Sequence, residues 1–477
     1  MIIKTTKHSL QNIASEIIIL PLAKENKVPK EITKYVKTKD FNADLNNLSL
    51  LYTELKTKRI LLAGLGKEKE ITLEKIRSLI STATKTIQQL KLVNLSILLP
   101  KVKILSQEKI AEAILESVLL TNYQFDKYKT KKEIKEIKNI NLIADISLDK
   151  IIARTKIICS NVNFVRDLVN ESSDVINPIT LTNKAKEIAK NNKLKITILD
   201  ENKLKKLNMN LILAVSSGSR YPPRLVILEY KNSNTKKKIA LIGKGVTFDT
   251  GGINLKPPGY IETMRLDKAG AATVLGIIKT ASELKLKTNI IALLPLVENM
   301  ISPNSYKPGD IITSYSKKTV EIGNTDAEGR LILADTLAYA EKNIKPSVMI
   351  DLATLTSSII GTFSNYITGF FTNNEKLAKQ LFDKGQETHE MVWQLPIYDE
   401  YSEENKSEIA DIKNIGGKYA GAIAGAAFLK SFIKNTSWIH LDIAGSAWYE
   451  KEKDYIPKNA TGIGLRLLIS FIEDIKD

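Results

Sequence analysis

Short apolar runs alternate with longer stretches of helical period along most of this chain. The runs at Ile2–Lys4, Glu16–Leu22, Arg59–Gly64 and Val93–Leu99 read as strands, being too short for helices and bounded by turn-forming residues. Between them, Leu73–Leu90 and Gln107–Leu120 carry apolar residues at helical spacing. The lysine-rich segment Lys127–Lys150 has the composition of a surface boundary, and a helix is expected after it as far as about Val169. From Asn177 onward, strand candidates recur at Lys195–Leu199, Arg224–Tyr230, Lys238–Gly243, Asn289–Pro295, Ser347–Leu352 and Trp438–Ile443. Long helical patterns separate most of these. Alternation of this kind predicts an α/β fold, with a mixed, largely parallel sheet flanked by helices in the second part.

A chain of 477 residues is long for one core, so two domains are expected. The boundaries read as a smaller N-terminal α/β domain over 1–145, a linking helix and boundary over 146–176, and a larger domain over 177–477. No stretch approaches 18 apolar residues, so no membrane span is expected. Lys4 and Lys7 precede an apolar run, Ile17–Ala23, that contains Pro21 and has no cleavage site. It reads as a strand rather than a signal peptide. One cysteine, Cys159, excludes an intrachain disulfide and suits a reducing cytoplasm. Its apolar helical surroundings favour a packing role over a nucleophilic one.

The 70 basic and 53 acidic residues leave a net charge of +17. Nucleic-acid binding is one meaning of such an excess. Here the lysines are dispersed and interleaved with glutamate, as in Lys131-Lys132-Glu133-Ile134-Lys135-Glu136, with no basic stripe carrying aromatics. A solvated lysine-rich surface is therefore favoured over a DNA-binding one. Gly64-Leu65-Gly66-Lys67 resembles part of a phosphate loop but lacks the remaining spacing, which favours a plain strand-to-helix turn.

Two segments carry candidate chemistry. In Asn324-Thr325-Asp326-Ala327-Glu328-Gly329-Arg330-Leu331, two carboxylates and an arginine sit at alternate positions before a helical pattern. Carboxylates at a helix entrance are stabilised by its free N–H groups, and Arg330 with those groups is suited to holding an anion. Upstream, the apolar run from Ile239 to Ile242 opens into Gly243-Lys244-Gly245-Val246-Thr247-Phe248-Asp249-Thr250-Gly251-Gly252. Lys256 and Asp267 follow before a small-residue helix near Ala269. Asp249, Asp267, Asp326, Glu328 and Lys244 together are enough to hold two divalent cations such as Mn²⁺ or Zn²⁺. Lys244 ligates only as the neutral amine, which an adjacent dication and burial favour. The alternative is that Lys244 and Lys256 are counter-charges to the aspartates.

Histidine supplies negative evidence. Only His8, His389 and His440 are present. His389-Glu390 has no second histidine one helical turn on, which excludes the helix-borne zinc motif. His440 reads as a core residue in an apolar strand, and no Gly-x-Ser-x-Gly elbow is followed by a suitable histidine.

At this level of detail the chain resembles the leucyl (cytosol) aminopeptidases, a dinuclear-metal family that removes N-terminal residues from peptides. The octapeptide Asn324–Leu331 and the loop Lys244–Gly252 carry the resemblance. Further similarity lies in Arg166–Asn170, Pro222–Leu225, Phe371–Asn374, Ala410–Asn414, His440–Gly445 and Ala460–Gly462. The resemblance implies that Asp249 and Glu328 bridge two metals, that Lys244 and Asp267 complete the tighter site, and that Asp326 completes the exchangeable one. It implies that Lys256 polarises the scissile carbonyl and that Arg330 holds a bicarbonate ion acting as general base on a bridging water. One metal would bind the substrate's free α-amine. A leucine-type preference, a homohexamer of two stacked trimers and a smaller N-terminal domain beside the catalytic one are further expectations. Met264 and Thr354 are candidates for the side-chain pocket. Ser357 and Ser358 stand where the family usually has Gly-Ala, Asn208 precedes Met209 where many members have glycine, and Lys268 follows Asp267 in place of a more neutral residue. These departures bear on residue preference, not on the proposed ligands. DNA binding by the charged surface and a two-metal phosphoesterase are the competing readings.

Overall fold

The computed structural model describes residues 1–7, 9–36, 41–131 and 136–475. His8 and part of the Lys127–Lys150 segment therefore lie outside the described residues. The chain divides into two compact units, Met1–Ser160 with Lys451–Lys458, and Asn161–Glu450 with Asn459–Asp477.

In the first unit, β1 (Ile2–Thr6), β2 (Ile17–Ala23), β3 (Leu48–Tyr52), β4 (Arg59–Gly66), β5 (Asn94–Leu98) and β6 (Asn139–Ile143) form one sheet. Its order is β1-β6-β5-β2-β4-β3, and only β3 runs antiparallel to its neighbour. Pro21 lies past Ile19, where β5 has stopped pairing with β2 and only β4 continues, so its missing N–H is tolerated. Helices α1 (Leu73–Gln89) and α2 (Gln107–Thr121) are capped by the side chains of Thr72 and Ser106. On α1, Ile76, Leu79, Ile80, Ala83 and Ile87 form the buried stripe that the sequence period predicts. Two strands are absent from the sequence reading. β3 is a partly exposed edge strand. β6 lies inside the lysine-rich segment, whose charge hides its short alternating run Asn139-Ile140-Asn141-Leu142-Ile143; β1 and β5 pair with it on both sides. The turn at Gly64–Lys67 ends β4 and passes through a short 3₁₀ segment into α1, as a plain connection does.

The division between units falls within α3 (Asp149–Asn170), which buries Cys159. The second unit continues with α4 (Pro178–Asn191), β7 (Lys195–Leu199), α5 (Glu201–Lys206), α6 (Asn210–Ser216), β8 (Arg224–Lys231), β9 (Ile239–Gly243) and β10 (Gly245–Asp249). Next come α7 (Ala269–Leu284), β11 (Asn289–Asn299), β12 (Ile311–Thr313), β13 (Thr319–Glu321), α8 (Glu328–Tyr339), β14 (Val348–Ala353) and α9 (Ser357–Phe363). The rest are β15 (Thr368–Thr372), α10 (Glu375–Thr388), β16 (Val392–Gln394), α11 (Asp399–Glu403), β17 (Ile412–Lys413), α12 (Gly421–Lys430), β18 (Ser437–Asp442), the short pair β19 (Trp448–Tyr449) and β20 (Asn459–Ala460), and α13 (Leu465–Asp474). The main sheet runs β16-β15-β18-β14-β9-β11-β8-β7, with β10 paired to the far end of β11.

Strands β18, β14, β9, β11 and β10 are mutually parallel, so their carboxyl ends share one edge. That edge is where open α/β sheets bind ligands. β9, β11 and β14 are buried along their whole length, which explains their mostly apolar sequences; Asp351 in β14 and Glu298 and Asn299 at the end of β11 are among the buried polar exceptions. Helix α8 packs through Leu331, Ile332, Leu333, Ala334 and Leu337 against Ala240, Ile242, Ile291, Leu293 and Met349. The helix is buried on nearly every side, not only on the face carrying Leu331, Ala334 and Leu337, because α6 and α12 cover it as well. Among the described residues, no helix is long and apolar enough to cross a membrane.

Candidate metal centre

Lys244 directly follows β9, Asp249 ends β10, Thr354 follows β14, and Glu328 opens α8. The shared sheet edge thus gathers residues that lie up to 110 positions apart in the chain. Their ligand atoms interlock. Lys244 Nζ lies 2.7 Å from Asp267 Oδ1 and 2.8 Å from Glu328 Oε1, and donates to the Thr354 carbonyl at 2.7 Å. Lys256 Nζ lies 2.9 Å from Asp249 Oδ2 and 2.6 Å from Asp326 Oδ1. Asp249, Asp326 and Glu328 each offer a carboxylate oxygen within 4.8 Å of the other two. Asp267 stands just beyond that trio and joins it through Lys244.

Electrostatics reflect the crowding. Four carboxylates share this buried volume with two ammonium groups. Burial, with the charges of Asp249 and Glu328, pushes Asp326 up to about 7. Burial also pushes Asp267 up to about 7, with Glu328 and Asp249 adding to it and Lys244 opposing. Asp249 is raised by burial and by Glu328. Glu328 ends below its ordinary value, because Lys244 and Lys256 outweigh its burial. Burial works to discharge Lys244, but Asp267, Glu328 and Asp249 overcome it and hold its pKa above the lysine range. Lys256 behaves likewise towards Asp249, Glu328 and Asp326. Without cations the two lysines are therefore the counter-charges, the alternative weighed from the sequence.

The residues also fit divalent cations. Asp267 Oδ2 is buried with no hydrogen-bond partner, an arrangement that is costly unless something binds it. The donors are oxygens and one amine, which suit Mn²⁺ or Zn²⁺. Asp249, Asp326 and Glu328 would hold one cation, and Lys244, Asp267 and Glu328 line the neighbouring position. Gly329 makes the second group close: a Cβ there would meet Lys244 Cε at 2.7 Å and Nζ at 2.8 Å.

Arg330 makes its contacts at Asn414 and Gly425. It is buried, its Nη1 donates to the Asn414 carbonyl at 2.8 Å, and its Nε has no hydrogen-bond partner. Burial, opposed by Glu328 and Asp442, lowers its pKa to about 10. Among the described residues it forms no ion pair, so the guanidinium retains capacity for an anion.

Thr354 is built into the centre: its hydroxyl donates to Asp267 Oδ1 at 2.6 Å while its carbonyl receives Lys244. Met264 is half-buried in the 3₁₀ segment Ile261–Lys268 that delivers Asp267. Lys268 is fully buried and donates to the carbonyls of Arg265 and Glu171, with burial lowering its pKa to about 7. Ser357 and Ser358 begin α9 with negative φ, so no glycine-only backbone is required there. His440 is buried, 2.6 Å from Asp351 and stacked beside Trp438 and Phe371, consistent with a core residue. Sequence reasoning missed Asn299, Tyr306 and Asn414. Asn414 Oδ1 accepts from the backbone of Gly323 and Asn324 and holds the octapeptide from the side. The only signal for Asn299 was a carboxamide ending a long apolar strand.

This fold and site define an α/β protein with a buried carboxylate–lysine centre suited to divalent cations. The chain belongs to the cytosol aminopeptidase family: the family's catalytic domain matches residues 163–469 and its N-terminal domain residues 22–132. A "Probable cytosol aminopeptidase" of Geotalea uraniireducens is 40% identical over 455 residues, covering 93% of this chain and 92% of that protein. Another, of Protochlamydia amoebophila, is 38% identical and covers 98% of both. Among solved structures, the bottromycin maturation enzyme BotP in complex with Mn superposes with a TM-score of 0.89 at 25% identity, over 97% of this chain and all of that one.

Proposed function

We propose that this aminopeptidase releases N-terminal residues, with a leucine-type preference, at a dinuclear centre held by Lys244, Asp249, Asp267, Asp326 and Glu328. The observation that carries the reading is the interlocked cluster of four carboxylates and two lysines at the carboxyl edge of the main sheet. Two divalent cations in such a donor set supply Lewis-acid polarisation and an acidified water. The manganese in the BotP complex supports Mn²⁺ as one of them, with Zn²⁺ the other candidate.

The chain's own groups take the remaining roles. Lys256, held in its charged form by its carboxylate neighbours, donates to the scissile carbonyl oxygen and stabilises the negative charge that grows there. Arg330 binds and orients a bicarbonate ion through donors that the protein leaves open, Nε among them. An ion held there would supply the general base that no histidine or glutamate of the chain provides. Met264 and Thr354 border the substrate side chain. The hexamer and the cytoplasmic location are carried over from the resemblance on the same footing.

An assay with leucine p-nitroanilide and the Mn²⁺- or Zn²⁺-loaded protein tests this. Turnover is expected, and N-acetylation of the substrate should abolish it. Absence of turnover by folded, loaded protein would overturn the reading, and faster hydrolysis of phosphate esters would replace it.

A further inference from the structure

Asp249 and the octapeptide belong to different parts of the chain, yet their carboxylates must keep one spacing for the centre to work. Asn299, fully buried at the end of β11, touches both. Its Nδ2 donates to Asp249 Oδ1 at 2.8 Å and to the Thr325 carbonyl at 3.1 Å. A bulge between Val246 and Asp249 brings Asp249 into register with Asn299 in the β10–β11 ladder.

We infer that Asn299 is a positioning residue, which locks Asp249 with one oxygen turned to the cations and ties that carboxylate to the turn carrying Asp326 and Glu328. The inference rests on the assignment of those three residues as ligands.

Asp249 Oδ1 is occupied twice, by Asn299 Nδ2 and by the Gly251 N–H at 2.8 Å. Only Oδ2 is left facing Lys256 and the other carboxylates. An unrestrained aspartate rotates about its terminal torsion and presents either oxygen. Two donors on one oxygen remove that freedom. On the other side, the Thr325 carbonyl receives Tyr306 Oη at 2.7 Å as well as Asn299. The Thr325 hydroxyl donates to the Gly251 carbonyl at 2.7 Å, and its N–H donates to Asn254 Oδ1 at 2.9 Å. The two loops are thereby stitched by two direct hydrogen bonds and by the bridging Asn299 carboxamide. Gly252, at φ +67°, permits the contact: a Cβ there would stand 3.0 Å from Asn299 Oδ1 and 2.9 Å from Thr325 Oγ1. Aspartate at 299 keeps the shape and removes the donor. Phenylalanine at 306 loosens the Thr325 carbonyl without touching Asp249.

The experiment compares the full-length protein with its Asn299→Asp, Asn299→Ala and Tyr306→Phe variants. Mn²⁺ binding is measured by calorimetry, and the Mn²⁺ pair is followed by electron paramagnetic resonance. The wild type is expected to bind two equivalents and give an exchange-coupled spectrum. Both Asn299 variants should bind the weaker equivalent about 10–100-fold less tightly, the usual effect of removing an outer partner of a ligand. They should lose the coupled signal, and kcat should fall by a similar factor with KM within about threefold. Tyr306→Phe should show the same pattern more weakly, which covers the case in which the Asn299 variants do not fold. Coupled spectra and Mn²⁺ affinities equal to wild type in folded variants would overturn the inference while leaving the metal reading intact. A wild type that takes up no Mn²⁺ would overturn both.

Discussion

Gly329→Ala is a small change whose consequences separate folding from metal binding. The new Cβ would stand 2.7 Å from Lys244 Cε and 2.8 Å from its Cδ and Nζ. Comfortable carbon contacts begin near 3.5 Å, so something must yield by about 0.8 Å. The lysine tail is normally the flexible partner, but here Asp267, Glu328 and the Thr354 carbonyl hold it at 2.7, 2.8 and 2.7 Å. A retreat of that size breaks at least one of these contacts. Overpacking costs about 1–3 kcal/mol. Alanine in a helix regains up to about 1 kcal/mol over glycine, and Gly329 has no positive φ to oppose it. The net loss of about 0–3 kcal/mol corresponds to a fall in Tm of at most about 12 °C. Metal binding should suffer far more. With Lys244 displaced, the affinity for Mn²⁺ should drop by at least about tenfold, and turnover of leucine p-nitroanilide should fall in step. Thermal melting, calorimetric titration and steady-state kinetics read the three quantities. Gly361→Ala is the stability control, since a Cβ there meets nothing within 4 Å. If Gly329→Ala bound Mn²⁺ within threefold of the wild type, Lys244 would not be a ligand held by this packing.

Three further outcomes are expected. Lys256→Met should lower kcat by about 10²–10³-fold, the effect of losing one donor to a developing oxyanion, while calorimetry still counts two Mn²⁺ equivalents; an unchanged kcat would remove Lys256 from catalysis. With Asp267 and Asp326 both pushed up to about 7, protons compete with cations below neutrality, so the apparent Mn²⁺ affinity should fall by about tenfold per pH unit for each proton displaced as pH drops from about 7 to about 5; a flat profile would contradict that. Asp335 receives the N–H groups of Leu211 and Ile212 on one oxygen and of Tyr315 on the other, so Asp335→Ala strands two buried donors and one half-buried donor, the buried ones at about 1–3 kcal/mol each. Denaturant unfolding should show a loss of several kcal/mol, and a loss below 1 kcal/mol would mean that water replaces the carboxylate.

For the carboxylates with raised pKa, the sign of the pH effect on stability also follows. A folded-state value near 7 against an unfolded value near 4 means that the metal-free folded protein binds more protons in between. These groups therefore cost stability above about pH 7, and that cost is relieved as pH falls towards 4. Cations relieve it at neutral pH by another route, so loaded protein should melt higher than chelated protein.

Local pattern determined much of this molecule. Apolar runs and helical spacing located most strands of both sheets and the helices that cover them, since burial imposes its period on the residues themselves. The octapeptide and the Lys244–Gly252 loop were legible for a related reason: carboxylates, lysines and glycines packed into short segments have few structural uses. Tertiary structure decided the rest. β6 alternates Asn139, Asn141 with Ile140, Leu142 in strand fashion, but the lysine-rich residues before it mask that short pattern, and pairing with β1 and β5 on both sides makes it an interior strand. Lys451–Lys458 belongs to the first unit through contacts such as Asp454 with Ser78, which no local pattern announces. Thr354 proved to be tied to Asp267 and Lys244, and Asn299 to both halves of the centre, because parallel strands end together at one edge. Whether Lys244 is a ligand or a counter-charge depends on the charges that the fold collects around it, and those come from residues up to 84 positions away in the chain, at Glu328.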